Sequence, residues 1–178
     1  MQEQPWQGNL RMCLKKKSTA DRPVRLAVMG IGHELCGDDA VGLQVARMLH
    51  DAVGDNPQML IIEAGPAPEN FTGLLRRFKP DQVWLVDAAL FDALPGEVRC
   101  LPWEEVEGMS ASTHTLPLNL LAAYLTAELG CELKLIGIQP GQTFADAPLT
   151  SPVMQAAKAV VDELADLVRN PAGSLVGI

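Results

Sequence analysis

The chain has 178 residues, 48% of them apolar and 20% charged, which suits one globular domain around a single core and excludes a disordered chain. With 14 basic against 22 acidic residues the net charge is −8, and no stretch interleaves Arg or Lys with aromatics as a phosphate-tracking surface does, which argues against a nucleic-acid partner. No run approaches the ~20 apolar residues needed to span a bilayer, so no membrane association is expected.

Residues 1–23 carry Arg11, Lys15, Lys16, Lys17 and Arg22 against Glu3 and Asp21, so the segment is basic while the rest of the chain is strongly acidic. It reads as a flexible basic tail ahead of a domain at 24–169, with a second loose tail at 170–178. It does not read as a signal peptide, because the following apolar run, Leu26 to Ile31, is short and leads into Glu34, Asp38 and Asp39. The cysteines at 13, 36, 100 and 131 lie far apart without a C-x-x-C pair, so neither a zinc site nor a dense disulfide framework is expected, and a reducing cytoplasm is the simplest setting.

Val24–Gly30 predicts a buried strand, followed by a loop and a helix with its apolar face at Val41, Val45, Met48 and Leu49, which Asp38 can cap. Met59–Glu63 predicts a second strand, and Phe71, Leu74, Leu75 and Phe78 a helix that Pro80 stops. Gln82–Asp87 is a third strand. A fourth, Glu97–Leu101, follows a Leu-Pro-Gly turn too short for a crossover helix, so it is expected to run antiparallel. Thr115–Leu129 predicts a helix and Glu132–Ile138 a fifth strand. Ser151-Pro152 opens the last helix as N-cap and N1, its core face being Val153, Ala157, Val160, Val161, Leu164 and Val168. Strands alternating with amphipathic helices specify an α/β sandwich on a mostly parallel sheet.

Ligands of open α/β sheets bind beyond the carboxyl ends of the strands. Three polar residues fall there: Asp39 after the first strand, Asp87 at the end of the third, and His114 just before a helix. Two carboxylates and an imidazole make a partial coordination shell for a borderline divalent ion such as nickel or zinc. Each also has an ordinary structural role open to it, as helix cap, turn residue or helix-start residue. Gly30-Ile31-Gly32 suggests a dinucleotide loop, but the third fingerprint position is Leu35 and the Asp38-Asp39 pair would repel a pyrophosphate. Gly108–Ser112 falls short of a nucleophile elbow, there is no H-E-x-x-H, and acidic neighbours count against Cys36 as a nucleophile.

Several segments occur in a recognisable order: Gly30-Ile31-Gly32-His33 with Gly37-Asp38-Asp39, Ala64–Asn70, Leu85–Ala88, Pro95–Glu97, Thr113–Asn119 and Ile136–Pro140. Over about residues 24–168 the chain resembles the hydrogenase maturation proteases, in particular the branch serving formate-hydrogenlyase-type hydrogenases. The resemblance implies a three-layer α/β/α sandwich with a five-stranded mixed, mostly parallel sheet. It implies an endopeptidase, classed as aspartic-type, that recognises nickel in the [NiFe]-hydrogenase large-subunit precursor and removes its C-terminal extension. The nickel is supplied by the substrate, and Asp39, Asp87 and His114 are the residues implied to contact it and act in catalysis. The chain departs from the family at His33, where Asn is usual, and at Ala40, where Gly is usual. Metal-ion catalysis with a substrate-borne metal accounts for the absence of a nucleophile–base motif. A non-cleaving nickel-checking or escort protein needs the same three residues. The expected form is a cytoplasmic monomer.

Overall fold

The computed structural model describes residues 4–17, 23–105 and 118–170. In chain order these form α1 (Pro5–Lys17), β1 (Leu26–Ile31), α2 (Val41–Val53), β2 (Met59–Gly65), α3 (Thr72–Phe78), β3 (Gln82–Ala88), β4 (Val98–Pro102), α4 (Leu118–Leu129), β5 (Glu132–Ile138) and α5 (Ser151–Arg169). Short 3-10 turns at Gly37–Ala40 and Pro68–Phe71 lead into α2 and α3.

The five strands make one sheet in the order β2-β1-β3-β5-β4. The first three pairings are parallel and β4 runs antiparallel to β5. The short connection after β3 thus gives the expected antiparallel strand, but β4 lies beyond β5 at the sheet edge rather than against β3.

Alternation along the strands divides the core in two. Leu26, Val28, Trp84, Val86, Ile136 and Ile138 pack on one face with α1, α2 and α5. Ala27, Met29, Val83, Leu85, Leu133 and Leu135 pack on the other with α3 and α4. Helices on both faces give the three-layer α/β/α sandwich, and the two central parallel strands β1 and β3 are buried along their full length, as a doubly covered parallel sheet requires.

Residues 5–17 depart from the expected loose tail. Pro5–Lys17 is a helix with Trp6 and Leu10 buried and Cys13 and Leu14 packed beside them, a spacing that lines one helical face. Arg11 grips the buried Glu163 of α5 through Nε at 2.7 Å and Nη2 at 3.0 Å. Gln82 Nε2 donates to the Cys13 carbonyl at 2.6 Å, and its Oε1 accepts from Trp84 Nε1 at 2.8 Å. A basic count marks solvated residues, but the apolar face between them decides where the helix sits.

The last helix begins one residue off expectation, with Thr150 as N-cap and Ser151-Pro152 inside the first turn. Truncating Leu10 to Ala empties a fully buried position, so urea denaturation should report a loss of about 2–5 kcal/mol, whereas a solvated tail would give none.

Candidate active site at the end of the parallel strands

The chain leaving β1 crosses to β2 with α2 on one face, while the chain leaving β3 runs toward β4 and β5 with α4 on the opposite face. Strand order therefore reverses between β1 and β3, the place where open α/β sheets form their ligand crevice. Asp39 lies in the loop after β1 and Asp87 is the penultimate residue of β3, so both stand at this switch point.

The floor of the site is set by glycines. A Cβ on Gly30 would sit 2.1 Å from the Gly42 carbonyl oxygen, and one on Gly42 would sit 2.2 Å from the carbonyl oxygens of both Ile31 and Val86. The first turn of α2 therefore lies directly on the β1 and β3 backbones. The Gly30-Ile31-Gly32 run serves this close packing, which gives the glycines a purpose without a dinucleotide.

Asp39 is 3% exposed, and its Oδ2 accepts from the His33 backbone N–H at 2.7 Å. The His33 side chain is exposed, with Nδ1 turned back toward the Leu35 N–H at 3.4 Å. Asp87 is fully buried and in register with Gly137 of β5. Charged groups taken out of water interact far more strongly with any ion brought to them than surface groups do. His114 lies outside the described residues. Among the described residues no three His, Cys, Asp or Glu side chains gather to hold a metal ion.

Asp38 does not cap α2, whose N-cap is Ala40 without a side-chain bond. Its carboxylate instead crosses to the loop after β5. Oδ2 accepts from the N–H groups of Gly141 at 2.8 Å and Gln142 at 3.1 Å and from the Thr150 hydroxyl at 3.0 Å, while Oδ1 accepts from the Thr150 N–H at 2.6 Å. Four donors satisfy a carboxylate with no solvent access, and its charge sits favourably at the N-terminus of α5. Asp38 thus holds loops together rather than capping α2.

Gln139, just past β5, has an equivalent role for the loop after β3. Its Oε1 accepts from the Phe91 N–H at 2.6 Å, and its backbone carbonyl accepts from the Gly96 N–H at 2.9 Å. No role was expected for it, although a polar residue closing an apolar strand is the same signal that singled out Asp87. Behind the site, Arg47 of α2 bridges Glu34 and Glu63, each at 2.7 Å, and these bonds, Glu34 first, raise its already high pKa. All four cysteines are free thiols, and burial, reinforced by Cys13, pushes the Cys100 thiol up to about 12.

This site lies in a chain whose residues 43–168 match the family model described as hydrogenase maturation protease. Over 150 residues, 81% of this chain and 88% of the relative, it is 35% identical to a Methanocaldococcus jannaschii protein assigned to the hydrogenase maturation proteases. It is 32% identical to the Escherichia coli K12 hydrogenase 3 maturation protease over 75% of this chain and 85% of the relative. The crystal structure of the [NiFe] hydrogenase maturation protease HycI from Thermococcus kodakarensis superposes with a TM-score of 0.76 at 34% identity, covering 83% of this chain and 94% of that one. The solution structure of the Escherichia coli endopeptidase HycI gives a TM-score of 0.71 at 29% identity, covering 80% and 90%. The fold is that of an α/β peptidase. The chain belongs to the hydrogenase maturation protease family.

Asp38→Asn turns one acceptor oxygen into an amide N–H₂ facing N–H donors, and should cost about 3 kcal/mol in urea denaturation. Thr150→Val removes only the hydroxyl bond, and about 1 kcal/mol is expected.

Proposed function

We propose that this endopeptidase recognises the nickel already seated in a [NiFe]-hydrogenase large-subunit precursor and removes the precursor's C-terminal extension. The observation that carries this reading is the pair of buried carboxylates, Asp39 and Asp87, at the sheet's switch point in a chain of this family. Carboxylates stripped of water suit a cation delivered by the substrate, and His114, four residues before α4, supplies the third donor.

In this reading Asp39, Asp87 and His114 orient the substrate's metal against the scissile amide, where it polarises the carbonyl or activates a water. Hydrolysis adds the water oxygen to the carbonyl carbon, breaks the C–N bond and leaves the proton on the departing amine. The His33 N–H fixes the rotamer of Asp39, so the carboxylate is pre-oriented before substrate arrives. The reaction is assigned to the cytoplasm, where four free cysteines are stable, with the protein acting as a monomer. Among the described residues no helix is long and apolar enough to cross a membrane.

Purified protein incubated with nickel-loaded and nickel-free precursor should produce a C-terminal mass loss in the loaded sample alone. Binding without mass loss would make the protein a checkpoint or escort instead. Asp39→Ala and His114→Ala should each lower kcat/KM about a hundredfold or more, and wild-type rates in either variant would refute their roles.

A further inference from the structure

Among the described residues seven large apolar side chains are exposed, and four of them stand on the loops beyond the carboxyl ends of the strands: Leu35 (61%), Leu90 (52%), Leu94 (80%) and Phe144 (65%). Single exposed apolar residues are ordinary on any surface. These four differ because their loops are fastened to one another. The Asp146 N–H donates to the Leu35 carbonyl at 2.7 Å, joining the first loop to the one carrying Phe144. A Cβ on Gly141 would lie 3.2 Å from Pro95, so the loop carrying Leu94 abuts the loop after β5. Gln139 holds Phe91, beside Leu90. The four side chains are therefore presented by one loop cluster of fixed backbone, and that cluster carries Asp39 and follows Asp87.

We infer that Leu35, Leu90, Leu94 and Phe144 form the contact rim that receives the polypeptide substrate, binding apolar side chains that flank the scissile bond. This rests on the peptidase reading above. Charge and dimensions select the occupant. The rim combines apolar side chains with two buried aspartates, whose oxygens suit a segment pairing apolar residues with a metal ion and disfavour an anionic one. The loops after β1, β3 and β5 cover two inter-strand spacings, about 10 Å, the length of about three residues of extended chain. The occupant is thus an extended stretch of the precursor around its cleavage site. An ordered backbone keeps binding from having to fix the loops first, which favours affinity.

The test is a Leu94→Ser/Phe144→Ser double variant, both positions being exposed enough for the fold to tolerate the change, with Leu94→Met/Phe144→Leu as the conservative counterpart. Cleavage kinetics on nickel-loaded precursor are measured alongside precursor binding by biolayer interferometry. The serine variant should raise KM and Kd tenfold or more with kcat within twofold of wild type, and the conservative variant should restore both. Cleavage with unchanged KM and Kd would overturn the rim and leave the peptidase reading intact. Weakened binding with no mass loss from any form would remove the peptidase reading and overturn the rim's assignment to a scissile bond, leaving it a precursor contact only. Absence of precursor binding by the wild type would overturn both. Self-association of the wild type that the serine variant abolishes, with KM unchanged, would make the rim a contact between copies and overturn the proposal.

Discussion

The carboxylate of Asp38 carries the connection on which the functional end of the molecule depends. It is cut off from solvent, accepts four hydrogen bonds, and joins the turn after β1 to residues 103 to 112 positions further along the chain. A buried charge is tolerated only where donors replace its lost water, and here all four donors come from the segment between β5 and α5. The tie fixes the start of α2, and α2 in turn rests on the bare backbones of β1 and β3 through Gly30 and Gly42.

Two consecutive aspartates therefore have opposite duties. Asp38 spends its hydrogen-bonding capacity on the loop before α5, while Asp39, in the same short turn, accepts from the His33 N–H at the switch point. Burial gives both their strength: Asp38 as an anchor and Asp39, in the proposed function, as a group directed at the substrate's metal. Placing the second beside the first lets the carboxylate proposed to act inherit the rigidity of a structural one, which is how a site on a loop gains the precision otherwise found on helices and strands.

Much of the fold is legible in the sequence because it rests on local periodicity. The buried runs of β1, β3 and β5, the faces of α2 and α5, and the stop at Pro80 all follow from spacing within a dozen residues. The placement of β4 is not, since a short turn dictates strand direction but not which strand lies alongside. For Asp38, the local rule that an aspartate before a helix caps it competes with donors over a hundred residues away, and the distant donors win. α1 was legible in principle, with Trp6, Leu10, Cys13 and Leu14 on one face, but its run of lysines weighs toward solvent. Position at the strand ends nominates Asp39 and Asp87. Gln139 shows the same pattern, yet its partners on the β3–β4 connection cannot be seen from the chain alone.

α1 also sets an order of events in the life of the chain. Its principal charged partner, Glu163, lies 152 residues from Arg11, near the other end of the polypeptide. Synthesis releases Trp6 and Leu10 long before α5 exists to receive them, and closing so long a loop must await the sheet that shortens it. α1, made well before α5, is thus among the last elements to dock. Until then, its apolar face and the matching strip beside α5 stay exposed, an interval in which a nascent-chain chaperone has surface to hold.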